Sequence, residues 1–220
     1  MAEEVDWFSE HAATWERVLL PKCAKARHAL MIGPYDGRCL RWLFDRVLTA
    51  PGSRATVVDD FKYPACVSMR GKAVRYPARS VEATFETRLS DVRSRVRVIK
   101  KPPYEALTGA AGRNTAYDLV YIDATGSRMA METAVLAFRR MAPGGVAIIT
   151  NNTHNDRHDA VCPRRGIDGF LDAYAFEIKV LRQGFHVFFE KRKTPLRTEH
   201  CNSEYFGREP LPRCGPRKTR

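Results

Sequence analysis

The sequence has no uninterrupted run of about 18 apolar residues, so neither a transmembrane helix nor a membrane partner is expected. Its first residues, Met1-Ala2-Glu3-Glu4, are acidic and lack an apolar signal region, which argues against secretion. No C-x-x-C spacing occurs among Cys23, Cys39, Cys66, Cys162, Cys201 and Cys214. Scattered cysteines of this kind read as free thiols in a cytoplasmic protein rather than a disulfide framework. Acidic residues are too few to balance the basic ones: 37 Lys and Arg stand against 25 Asp and Glu, a net charge of +12. Half of that excess falls in the last thirty of the 220 residues. With Pro195, Pro210, Pro212 and Pro216 and no apolar periodicity, residues 193–220 are expected to form a basic, disordered tail. Such a tail either solubilises the chain or binds nucleic acid or another polyanion.

What is present is organised around Ala29-Leu30-Met31-Ile32-Gly33-Pro34-Tyr35-Asp36-Gly37-Arg38. A short apolar strand breaks at a glycine turn and runs into a helix. Leu40, Leu43, Phe44, Val47 and Leu48 form the helix's single apolar stripe. Gly33 allows the sharp turn, and Gly37 lets backbone approach a ligand or the strand. This is the first half of a nucleotide-binding βαβ unit, although a lone G-x-x-x-G turn also fits generic strand–turn–helix structure.

The rest of the chain repeats the alternation. A helix over residues 6–20, with Phe8, Ala12, Trp15 and Leu19 on one side, is expected to stop at Pro21. Ala55–Asp60 reads as a second strand ending in two carboxylates. Residues 62–79, broken by Tyr63-Pro64, Gly71 and Tyr76-Pro77, read as a long loop with a lid role. Ser80 is placed to cap a helix reaching about residue 92. Arg95–Lys100 is a third strand, with a short helix at 104–107, and Tyr117–Asp123 is a fourth. Met131, Ala134, Val135, Phe138 and Met141 mark the inward face of a further helix that Pro143-Gly144-Gly145 ends. Val146–Thr150 is a fifth, buried strand. A polar loop, a helix carrying Ile167, Phe170, Leu171 and Tyr174, and a hairpin turning at Gln183-Gly184 complete the pattern. The expectation is one α/β domain over residues 1–192, opening with a helical segment at 1–28. Its sheet is doubly wound, seven-stranded, mostly parallel and Rossmann-like, with an antiparallel C-terminal hairpin strand. In such sheets ligands lie at the carboxyl ends of the strands. Those ends carry Gly33–Gly37, Asp59-Asp60, Lys100-Lys101, Asp123 and Asn151-Asn152.

These motifs resemble those of class I S-adenosylmethionine-dependent methyltransferases, nearest to the small O-methyltransferase-like group. Leu30–Arg38 looks like the group's first motif, Asp59 like the acid ending its second strand, and Tyr121-Ile122-Asp123 like its fourth-strand motif. Ala142-Pro143-Gly144-Gly145-Val146 resembles the segment before the fifth strand. The resemblance spans about residues 7–192. It implies S-adenosyl-L-methionine as methyl donor and a small-molecule or sugar hydroxyl as acceptor. Backbone at Gly33, Tyr35, Asp36 and Gly37 would meet the amino acid end and ribose. Asp59, or its neighbour Asp60, would accept the ribose hydroxyls. Phe61 would cover an adenine face, and Lys101 and Pro102 would lie at the adenine edge. Asp123 would lie near the methionyl end and the acceptor.

The chain also departs from the group. Met31 stands where the group has an acid that helps hold the cofactor's amine, with Asp36 the nearby carboxylate. Thr150-Asn151 replaces the Asp-Asn pair of the magnesium-dependent relatives. One carboxylate and an amide make a poor site for a hard cation, so no metal is expected. His154, Asp156, His158, Asp159 and Cys162 crowd the loop after the fifth strand. They read as a solvated loop, a weak zinc pattern, or a base, with His154 preferred as the base because it is nearer the strand. Two alternatives stand beside the small-molecule enzyme. One is a nucleic-acid methyltransferase, for which Lys25, Asp123, Lys179 and Glu190 fall in the order of a ribose-directed set. The other is a catalytically silent binding module.

Overall fold

The computed structural model describes residues 6, 8–62, 66–69, 72–75, 81–109, 115–124, 126–152 and 163–196, with residues 66–69 and 72–75 described as backbone only. Helix α1 spans Ser9–Cys23, followed by β1 His28–Ile32, α2 Arg38–Arg46 and β2 Arg54–Val58. Strands β3 Cys66–Met69 and β4 Lys72–Arg75 come next, then α3 Val81–Arg88 and a 3-10 helix Ser90–Arg95. They lead to β5 Val96–Ile99, α4 Pro103–Thr108, β6 Tyr117–Ile122, α5 Ser127–Phe138 and β7 Met141–Ile149. Helix α6 Pro163–Ala173 and strands β8 Ile178–Gln183 and β9 Val187–Lys191 close the order.

Seven strands form one sheet in the order β5-β2-β1-β6-β7-β9-β8. The first five are parallel, and β9 is antiparallel to both β7 and β8. This is the expected doubly wound, Rossmann-like sheet with its C-terminal hairpin. Side chains alternate between the faces, as the two-residue period of a strand requires. Met31, Val57 and Ile148 pack with Trp15, Leu43 and Phe85 under α1, α2 and α3. Leu30, Ile32 and Ile149 pack with Ala134, Phe138 and Phe170 under α5 and α6. Burying each of the largest of these side chains is worth about 1.5–3 kcal/mol. Helix α1 runs against the parallel strands. Its His11 ring touches Phe185 and His186 just ahead of β9, while Lys22 reaches Glu190 near β9's other end.

Four expectations are corrected. Residues 62–79 are not one loop, because β3 and β4 pair there as a separate antiparallel hairpin. Alternation in Cys66–Met69 and Lys72–Arg75 is short enough to be masked by the flanking prolines and Gly71. Helix α1 continues past Pro21 to Cys23. A proline in the last turn removes only one helical hydrogen bond, and buried Leu19 and Cys23 hold the turn down. Met131 is 39% exposed, while Ala130, Thr133, Ala134 and Ala137 face inward. The small residues are needed because α6 comes close: a Cβ on Gly166 would lie 1.9 Å from Ser127 O. Met141 begins β7 rather than continuing the helix, and Pro143-Gly144-Gly145 forms an irregularity within that strand, between the Tyr117–Met141 and Leu119–Val146 pairs.

Candidate functional site

Parallel strands joined by crossover helices bring their carboxyl ends to one edge. There β2, β1 and β6 are neighbours, so the loops after Val58, Ile32 and Ile122 line one mouth. The backbone is unusual there. Tyr35, Phe61 and Asn151 are the non-glycine residues with positive φ among those described, and each follows the end of β1, β2 or β7. Side chains disfavour that region, and such strain clusters at ligand sites.

The first loop turns on two glycines, Gly33 at φ 67° and Gly37 at φ 82°. The Gly33 N–H donates to Val58 O at 3.0 Å, tying the loop to β2. A Cβ on Gly33 would lie 3.1 Å from Asp123 Cβ, and one on Gly37 would lie 2.9 Å from the Phe85 ring. Only hydrogen side chains let this loop lie between β6 and α3. Asp36 is buried within it. Its carboxylate accepts the Arg38 N–H at 3.1 Å and Arg38 Nε at 2.9 Å, and pairs with Arg88 Nη1 at 2.7 Å. Arg88 also donates to Asp36 O at 2.6 Å. Two guanidinium groups therefore neutralise Asp36 and tie the loop to α2 and α3. Met31 is fully buried in the core.

After β2, Asp59 is buried and its Oδ1 accepts the Phe61 N–H at 2.7 Å. The half-buried Asp60 makes the same kind of turn, accepting the Lys62 N–H at 3.2 Å. The turn holds the Phe61 ring 5.3 Å from Phe85. Lys101 and Pro102 are exposed after β5, where Pro102 caps α4.

Asp123 follows β6, and its N–H donates to Ile32 O at 2.9 Å. Its Oδ1 accepts Thr150 Oγ1 at 2.8 Å and Asn151 Nδ2 at 2.7 Å. Asn151 Nδ2 also donates to Ala124 O at 2.7 Å. Burial pushes the Asp123 carboxyl above its ordinary range and the charge of Asp59 adds to this, while the bonds from Thr150 and Asn151 pull the other way. Among the described residues no group of three His, Cys, Asp or Glu is placed to hold a metal. His154, with Asp156, His158, Asp159 and Cys162, lies outside the described residues.

The edge therefore brings together Gly33, Tyr35, Asp36, Gly37, Asp59, Asp60, Phe61 and Asp123, with Lys101 and Pro102 at the end of the adjoining β5. It does not assemble the ribose-directed set. Lys25 precedes β1 and Asp123 follows β6, at opposite edges, while Lys179 lies opposite Glu190 on the outer hairpin. Arg38 and Arg88 escaped the sequence reading. Arg38, two residues from Asp36, was visible as a partner, but Arg88 is 52 residues away and meets Asp36 only through the fold.

A class I methyltransferase fold is what this topology defines. A family model described as a methyltransferase domain matches residues 30–151, and the chain belongs to that family. No curated protein matches the sequence. An O-methyltransferase family protein from Burkholderia thailandensis superposes with a TM-score of 0.53 at 16% identity, over 83% of this chain. This chain spans 58% of that protein's length. The O-methyltransferase TomG from Streptomyces achromogenes, solved with S-adenosylmethionine, gives 0.63 at 16% identity, over 86% of this chain and 82% of its own. The N-methyltransferase NodS from Bradyrhizobium japonicum, solved with S-adenosylhomocysteine, gives 0.51 at 15% identity, over 83% and 86%. At these identities the likeness is one of fold. No helix among the described residues is long and apolar enough to cross a membrane.

Proposed function

We propose that the chain transfers a methyl group from S-adenosylmethionine to a hydroxyl of a small molecule or sugar, without a metal. The observation that carries this reading is the juxtaposition, on neighbouring strands, of the left-handed Gly33–Gly37 turn, the buried Asp59 and the half-buried Asp123. The donor supplies an electrophilic methyl on a positively charged sulfur. Residues at the three strand ends fit its parts. The Gly33–Gly37 backbone, stiffened by Asp36 between Arg38 and Arg88, lies against the amino acid end. Asp59 accepts hydrogen bonds from both ribose hydroxyls, with Asp60 its neighbour, and Phe61 covers the adenine beside Lys101 and Pro102. Asp123 faces the methionyl end, where an adjacent cation favours its ionised form. Alignment of acceptor and methyl carbon is the main catalytic contribution of such a site. His154 is the candidate base for a hydroxyl acceptor.

Domain boundaries follow the same reading, with residues 1–192 the catalytic unit and 193–220 a basic extension. Buried Met31, in place of the usual acid, favours a second reading as a cofactor-binding module without turnover. Calorimetry with S-adenosylhomocysteine tests the site. Binding that Asp59→Ala strongly weakens while the thermal transition persists supports it, and unchanged affinity in that variant rejects it. Methyl release from labelled donor across a panel of phenols and sugars then separates enzyme from silent module.

A further inference from the structure

The amino edge of the sheet, opposite the methyl-transfer site, carries cations that the proposed reaction does not use. Lys25 and Arg27 precede β1, Arg54 opens β2, Arg139 precedes β7 and Lys193 follows β9. The backbone fixes their adjacency. The Arg54 N–H donates to Arg27 O at 2.7 Å, and a Cβ on Gly144, near the start of β7, would lie 3.2 Å from Lys193 Cε. All five are exposed, and among the described residues none has an ion-pair or side-chain hydrogen-bond partner. Their neighbours differ. Arg95 is spent on the carbonyls of Ser53 and Ala50, Lys191 on those of Phe138 and Met141, and Lys22 on Glu190. Asp118, an acid of this edge, accepts the N–H groups of Arg27 and His28 at 2.8 and 3.0 Å.

We infer that this row binds the phosphate backbone of single-stranded nucleic acid. From β2 to β9 it crosses four strand spacings, about 19 Å, enough for several phosphates. Three of the five cations are guanidinium groups, whose fork suits phosphate oxygens. Phe176, 53% exposed at the β8 end of the edge, offers a ring for a base to stack on. Apart from Phe176 and Leu196 the edge exposes no large apolar side chain among the described residues, too little for an amphipathic membrane surface. The described chain also leaves from this edge: the Leu196 N–H donates to Phe176 O at 2.9 Å. The sequence beyond it adds Arg197, Arg208, Arg213, Arg217, Lys218 and Arg220. A five-residue strand separates the edges by about 16 Å, so nucleic acid held here is a tether and not the methyl acceptor.

Fluorescence anisotropy of the full chain with a labelled uridine oligonucleotide of about 20 nucleotides tests this. Five neutralised phosphates predict a log–log salt slope of about −3.5 from the edge alone. Combining Lys25→Gln, Arg27→Gln, Arg54→Gln and Arg139→Gln should weaken binding about tenfold or more and flatten the slope by about 2.8. The affinity for S-adenosylhomocysteine should not change, which keeps this test separate from that of the methyl-transfer site. A control combining Arg128→Gln, Arg164→Gln, Arg165→Gln and Arg182→Gln removes equal charge elsewhere and should have a small effect. The inference is overturned by absence of RNA binding, by equal losses in both variants, or by tighter binding to phosphatidylserine vesicles than to the oligonucleotide.

Discussion

The two edges of the sheet are made by the same parallel strands, yet they are built to opposite rules. At the carboxyl edge, acids gather, non-glycine residues take positive φ, and polar side chains are tied to one another: Asp36 to Arg38 and Arg88, Asp123 to Thr150 and Asn151. At the amino edge, Lys25, Arg27, Arg54, Arg139 and Lys193 stand in solvent without partners among the described residues. Strain and preorganised polar groups mark where a small ligand must be held in one pose. Unpaired surface charge marks a surface suited to a long, flexible polyanion. Sequence composition averages the two into a single net charge of +12 and hides the division.

The largest effect that would sharpen this contrast is acid instability originating at the carboxyl edge. Burial, with His11 adding, pushes the His186 imidazole down to about 3, so the native state holds it neutral. Its stabilisation is complete above the usual value near 6.5 and is lost as pH falls toward 3. Linkage makes this about 1.4 kcal/mol per pH unit, roughly 4–5 kcal/mol in all. Urea unfolding at pH 7 and pH 5.5 should show a drop that His186→Gln largely removes. An equal drop in that variant contradicts the assignment. Next, Asp59→Ala should cost about 3 kcal/mol of cofactor affinity, over 100-fold, because two bonds to a charged acceptor disappear. Gly37→Ala forces a Cβ toward Phe85 at positive φ and should lower stability by about 1–3 kcal/mol, read by thermal unfolding.

Smaller effects follow at Asp123 and at the amino edge. Because the native carboxyl of Asp123 titrates above its ordinary range, stability is lost as pH rises from the unfolded value through the native one. Asp123→Asn should therefore raise the melting temperature at pH 7, with the gain vanishing in acid, while weakening cofactor binding. A lower melting temperature at pH 7 would contradict the burial argument. Arg27→Gln with Lys25→Gln should change stability by less than about 0.5 kcal/mol, as exposed unpaired charges do. A larger loss would mean that the amino edge is structural.

The sheet was legible in the sequence because apolar strands and amphipathic helices alternate with clear turns, and the candidate edge follows from its topology. Errors arose where local signals compete. Prolines around 63–77 hid the β3–β4 hairpin, Pro21 overstated a helix stop, and Met131 outranked the alanines that the α5–α6 contact requires. The candidate carboxylates were legible as strand-end acids. Their partners were not, because Arg88 reaches Asp36, and Thr150 and Asn151 reach Asp123, across distances in sequence that only folding closes.

The most direct measurement is a crystal structure of the chain with S-adenosylhomocysteine. The account predicts both ribose hydroxyls within hydrogen-bond reach of Asp59 and the amino acid end beside the Gly33–Gly37 turn. A nucleoside seated at the amino edge, or one leaving Asp59 untouched, would contradict it.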